Sequence, residues 1–188
     1  MLKIAVILLG LLASPIAGAH GLQGVSFMHG LAHPLLGLDH LLAMLAMGVS
    51  VAAFSTSGRW LTASLMILSL LVGLFSASAA HLSLSVDSLL AATLFSLGLM
   101  LVRKHALTAP LHAALIVLFT FFHGFAHGIE LPFQDTLWPL AAGVVGASLL
   151  LFGLGIGVGR IFVLRQRRAQ IGLGGMLGSA AWWYFFAA

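Results

Sequence analysis

The sequence predicts an all-α polytopic membrane protein, with six transmembrane helices behind a cleavable leader and both mature termini outside. Three observations predict it. Charged residues make up 6% and hydrophobic residues 61% of the 188 residues, with a mean hydropathy of +1.16; soluble domains carry about 25% charged residues. Apolar runs recur at lengths suited to a hydrocarbon layer roughly 30 Å thick. The basic residues between them fall only in alternate connections.

Residues 1–19 read as a secretory signal peptide. Lys3 supplies the positive start, Ile4–Leu12 the apolar core and Ala17-Gly18-Ala19 the small-residue cleavage site. The apolar core is short for an uncleaved span of about 20 residues. Cleavage leaves His20 as the mature N-terminus and 20–188 as one transmembrane domain. Spans are expected at about 33–54, 60–80, 87–102, 110–129, 137–160 and 171–187. Lipid offers the backbone no hydrogen bonds, so each span must be helical.

Orientation comes from charge. Arg59 follows the first span, Arg103 and Lys104 the third, and Arg160, Arg165, Arg167 and Arg168 lie between the fifth and sixth. The connections 81–86 and 130–136 have no Lys or Arg. The positive-inside rule therefore places the basic connections in the cytoplasm. The high pI reflects these short loops, and no nucleic-acid partner is expected. The absence of cysteine excludes disulfides and thiolate metal sites.

Two polar clusters interrupt the apolar pattern. The first is His33, Asp39 and His40, and the second is His123, His127 and Glu130. Ionisable groups in a membrane segment are costly and mark function. His123, His127 and Glu130 are spaced i, i+4 and i+7, one face of a helix. His33 and His40 are seven apart and are expected on one face of a continuous first span, in a stripe with Gly37 and Met44. The first span runs inward and the fourth outward, so both clusters lie in the outer half of the bilayer.

Four imidazoles and two carboxylates suit Ni²⁺, Co²⁺, Zn²⁺ or Fe²⁺. Cu(I) would want thiolate or more thioether, and Ca²⁺ or Mg²⁺ mostly oxygen. A lone histidine in a membrane helix is more often an interhelical hydrogen-bonding residue. Six ligand-type residues in two clusters, in a chain with four acids, favour a metal over that reading. A proton relay is the main competitor.

Other residues are secondary. His20 and His29 precede the first helix as accessory ligands for an incoming ion. His112, eleven residues before His123 (123 − 112), lies on the same stripe. It reads first as an interfacial histidine and second as an exit ligand. Gly30, Gly37, Gly124 and Gly128 permit close helix approach. Gly153-Leu154-Gly155-Ile156-Gly157-Val158-Gly159 lacks the Lys-Ser/Thr of a phosphate loop and reads as helix packing. His29–His33 and His123–His127 echo one another as two similar ligand units.

At these residues the chain resembles the HupE/UreJ family of nickel and cobalt permeases. The resemblance rests on His33-x5-Asp39-His40, with Pro34, Gly37 and Met44, and on Phe122-His123-Gly124-x-Ala126-His127-Gly128-x-Glu130. The leader and six spans fit it too, so it covers the whole chain. It implies uptake of Ni²⁺ or Co²⁺ across the bacterial inner membrane, supplying a nickel enzyme or cobalamin synthesis. It implies His33, Asp39, His40, His127 and Glu130 as metal residues, with His123 in the motif and Asp87 as the acid near the outer start of the third span. No prosthetic group is expected, because the ion is cargo. A homo-oligomer is compatible with the chain. The other classes considered are a membrane metallohydrolase and a proton-conducting or structural subunit of a membrane complex.

Overall fold

The computed structural model describes residues 26–77, 86–103, 107–130, 137–163 and 165–187. The leader, His20 and the connection beginning at His81 lie outside them. The described residues form seven α-helices and no strand: α1 (Phe27–Leu36), α2 (Leu38–Val51), α3 (Thr56–Ser76), α4 (Val86–Val102), α5 (Ala109–Glu130), α6 (Leu137–Val158) and α7 (Arg167–Ala187). A π-helical turn, Gly159–Val163, continues α6.

Among the described residues three helices are long and apolar enough to cross a bilayer: Thr56–Ser76, Ala109–Glu130 and Trp138–Ile161. The pair α1–α2 is a fourth if it crosses as one broken span. The 17 residues of α4 are apolar but shorter. The 21-residue α7 begins with Arg167 and Arg168 and ends in an aromatic run containing Trp182 and Trp183.

The first expected span is corrected. It is not one helix over 33–54 but two, bent by 82° at Gly37. The chemistry of the break is local. Pro34 lies inside α1 and has no N–H for the helical ladder. Three residues later Gly37 adopts an extended conformation, φ −73° and ψ 110°. Its N–H donates to the His33 carbonyl at 3.0 Å, closing α1, and its carbonyl accepts from the Leu41 N–H at 2.9 Å, opening α2. One residue thus ends one helix and starts the next. His33 and His40 therefore share no helical face, and Met44 belongs to the buried core on α2.

The helices pack as three pairs: α3 along α5, α4 along α7, and α1–α2 along α6. Glycines make these seams close. A Cβ on Gly124 or Gly128 would strike the backbone of Leu70 or Leu74 on α3, and one on Gly73 would strike Phe121 on α5. The Ser69 hydroxyl ties the same seam by donating to the Val117 carbonyl at 2.6 Å. Gly30 and Gly143 do the same between α1 and α6, and Gly48 and Gly155 between α2 and α6. The packing reading of the glycine run holds for Gly155 and Gly159, whereas Gly153 and Gly157 face open space. Between these pairs Met44, Met47, Met66, Leu94, Leu97, Ile116 and Leu177 form a fully buried core.

Arg59 lies in the first turn of α3 rather than between helices. Its guanidinium donates to the carbonyls of Ala52 and Phe54 and to the Thr56 hydroxyl, fixing the α2–α3 turn. Ser55 caps α3 by accepting from the Gly58 N–H at 3.1 Å.

Candidate metal-binding site

The last two turns of α5 set one wall of the site. Gly124 and Gly128 lie against α3, and His123 and His127, one position earlier, point around the helix toward α1 and α2. Their spacing of four residues stacks them on one face. The opposite wall is the break at Gly37: His33 comes from the last turn of α1, and Asp39 and His40 from the first turn of α2. A Cβ on Gly37 would come 3.2 Å from Asp39 Oδ1 and 3.2 Å from His40 Nδ1. Glycine thus leaves these two side chains room to fold back over the break.

The four imidazoles form a continuous group. The His127 ring lies between His33, at 5.0 Å between centroids, and His40, at 4.4 Å. His40 also meets His33 at 5.8 Å and His123 at 5.3 Å. His123 and His127 are wholly buried and His40 is 2% exposed, whereas the His33 and Glu130 side chains are 28% and 34% exposed. The group therefore grades from an accessible rim to a sealed interior.

Hydrogen bonding fixes which nitrogens are available. His123 Nδ1–H donates to the Phe119 carbonyl at 2.9 Å, leaving the Nε2 lone pair facing inward. His40 Nδ1 lies 2.9 Å from Asp39 Oδ2, which again leaves Nε2. Among the described residues neither nitrogen of His127 has a partner, nor has Nε2 of His40 or His123. A buried polar atom without a partner costs about 1–3 kcal/mol, so the fold holds several costly lone pairs close together. Carboxylate or carbonyl acceptors behind imidazoles are the supports that orient metal-binding histidines.

At the rim, His33 Nε2 lies 3.0 Å from Glu130 Oε2. One donor atom each from His33, His127 and Glu130 can lie within 4.8 Å of the others. Deeper in, His40 and His123 face each other beside the same His127. The arrangement offers a rim triad and an inner pair that meet where His127 packs on His40, with Asp39 behind His40.

All six main candidates therefore come together: His33, Asp39, His40, His123, His127 and Glu130. The secondary ones do not join them. His29 does not precede the first helix but lies in the first turn of α1, exposed, with its N–H on the Ser26 cap at 3.2 Å. Asp87 is exposed in the first turn of α4, with no hydrogen bond or ion pair to the cluster among the described residues. His112 lies at the other end of α5. His20 lies outside the described residues.

One contributor carried no sequence signal. The Phe119 carbonyl was invisible because any residue four before His123 supplies one. Tyr184, near the end of α7, packs on the core cluster.

Asp39→Asn tests the support behind His40. The amide keeps the shape but loses the charge, and its NH₂ can turn toward His40 Nδ1. Metal affinity is expected to fall about 10–100-fold, measured by equilibrium dialysis in detergent. An unchanged affinity would remove Asp39 from the site.

The family described as "HupE / UreJ protein" matches this chain over residues 6–184. The protein described as "Protein HupE", from Rhizobium leguminosarum bv. viciae, is 32% identical over 157 residues, which cover 83% of this chain and 82% of that protein. No solved structure matches the chain significantly.

Proposed function

Because the chain belongs to the HupE/UreJ family, we propose that it is a secondary permease that takes up Ni²⁺ or Co²⁺ across the bacterial inner membrane. The observation that supports this most is the graded cluster: four imidazoles and two carboxylates gathered where a broken helix meets α5. Discontinuous membrane helices are a recurrent way to build an ion site inside a transporter. The donors are nitrogen and oxygen, which suit borderline divalent ions. No phosphate-loop motif is present in the sequence, so ATP does not drive the step directly.

In this reading α1–α2 together, α3, α4, α5, α6 and α7 are the six crossings, behind a cleaved leader. Arg59, Arg103 and Arg167 lie on the cytoplasmic side. The ion reaches Glu130, His33 and His127 at the outer rim and displaces the His33–Glu130 contact. It exchanges its water for imidazole and carboxylate, then passes to His40 and His123. Exchangeable ligands and partial exposure at the rim match an ion in transit better than a closed structural cage.

Uptake into proteoliposomes tests the proposal, with Ni²⁺ and Co²⁺ offered separately and with Zn²⁺ as competitor. Saturable uptake is expected in the wild type and not in His40→Ala or Glu130→Gln. No uptake with one ion still bound per chain would instead favour a metalloenzyme. The pH response has a definite sign. Only neutral imidazole binds metal, and an ordinary imidazole titrates near pH 6.5. Binding is therefore expected to weaken as the pH falls. Affinity that rises on acidification would count against histidine ligation.

A further inference from the structure

The end of the bundle opposite the histidine cluster contains a cavity of about 530 Å³. Its walls come from helix ends that meet there: Ser50 near the end of α2, Arg103 just after α4, His112 in the first turn of α5 and Gln170 in the first turn of α7. His112 precedes His123 by eleven residues, roughly 16 Å along the axis at 1.5 Å per residue. Eleven residues are close to three full turns, so the two lie on one side of α5.

Two features set His112 apart from an ordinary interfacial histidine. Its Nε2 is buried and has no hydrogen-bond partner among the described residues, and a turn of the ring brings it to the cavity. Its ring rests edge-on against Phe54, 5.4 Å between centroids, on the cavity wall. A packing role would be served without an unpartnered buried nitrogen, which costs about 1–3 kcal/mol.

Little separates the cavity from the cluster. Phe119 lines the cavity and offers its carbonyl to His123. Ser50, also on the wall, donates to the Met47 carbonyl at 2.7 Å. Thr120 Oγ1 lies 3.5 Å from Met47 Sδ. Phe119 thus touches both sites, while Met47 and Thr120 are wholly buried and the Thr120 hydroxyl donates to the Ile116 carbonyl at 2.7 Å.

We infer that this cavity is the release compartment of the ion pathway and that His112 is its ligand, a second and weaker contact for the same divalent cation. The inference rests on the permease reading. One imidazole, helped by hydroxyl and thioether donors, is a low-affinity set for a borderline divalent ion. Arg103 is the one formal charge among the described lining residues, and its repulsion shortens the ion's stay. The opposite end has four imidazoles and two carboxylates. Tight capture at one end and loose holding at the other is what delivery requires.

The chain has no cysteine, so His112→Cys places a single thiol in the cavity. Ni²⁺ or Co²⁺ is expected to protect that thiol from a methanethiosulfonate reagent in proteoliposomes, and Mg²⁺ is not. His112→Ala is expected to slow uptake about tenfold, the scale on which a supporting metal contact acts, with dialysis affinity at the outer cluster unchanged. Wild-type uptake by His112→Ala, or labelling that Ni²⁺ and Co²⁺ leave unaltered, overturns the inference. If His112→Ala does not fold, thiol protection decides. If the wild-type chain carries no ion, the permease reading falls, and thiol protection still decides whether a cation enters the cavity.

Discussion

Replacing His127 with alanine is expected to lower Ni²⁺ or Co²⁺ affinity by about 100-fold, the upper end of what removal of a metal-site group costs, and to abolish saturable uptake. The reason is its position. It is the imidazole of the rim triad that packs on His40 of the inner pair, 5.0 Å from His33 and 4.4 Å from His40 between ring centroids. Among the described residues neither of its nitrogens has a protein partner, so the substitution breaks no hydrogen bond there. Two terms then oppose each other in stability. A small cavity opens, which destabilises, and two unsatisfied buried atoms disappear, which stabilises. Thermal unfolding in detergent should therefore stay near wild type while equilibrium dialysis shows the loss. Retained affinity would mean that the histidines are a packed polar core and not a binding site.

Gly124→Ala is expected to give the largest structural effect of a single methyl group. The added Cβ would enter the Leu70 backbone on α3, and backbone cannot rotate away as a side chain can. Alanine gains roughly 1 kcal/mol over glycine in helix propensity. Overpacking costs about 1–3 kcal/mol and more where nothing yields, so the net effect is destabilising. Separation of α3 from α5 would also strain the Ser69–Val117 bond of 2.6 Å and displace His123 and His127 beside it. Both the unfolding temperature and metal affinity should fall. Gly157→Ala is the internal control, because a Cβ there meets nothing within 4 Å. Equal stability of the two variants would show that the α3–α5 seam is looser than described.

What was legible in the sequence is what depends on periodicity and on the cost of charge in lipid. The i, i+4, i+7 spacing of His123, His127 and Glu130 survives because α5 is continuous through all three. The meeting of that face with His33, Asp39 and His40 was legible as compatible depth. The break at Gly37 was not. Proline and glycine both occur within membrane helices, and Pro34 with Gly37 fits either a gentle kink or a clean stop. Gly37 keeps a negative φ of −73°, so no left-handed turn advertises the stop. The outcome depends on α6, whose Gly143 accepts the α1 backbone, and a pattern within 33–54 cannot encode a partner so distant. Asp87 stands where the resemblance puts it, in the first turn of α4, exposed and without a hydrogen bond or ion pair to the cluster among the described residues.

The seating of α1 on α6 also dictates an order of events during synthesis. α1 has 10 residues, about 15 Å at 1.5 Å per residue, and cannot cross a bilayer alone. Its close backbone neighbours, Leu140 and Gly143, leave the ribosome about a hundred residues later, as does Glu130, which lies 97 positions beyond His33. Until α6 is inserted, the first helix has no groove to occupy and the ion site has only its α5 wall. On the permease reading, ion affinity is thus a property of the nearly finished chain, and a nascent polypeptide halted before α6 should not capture metal prematurely.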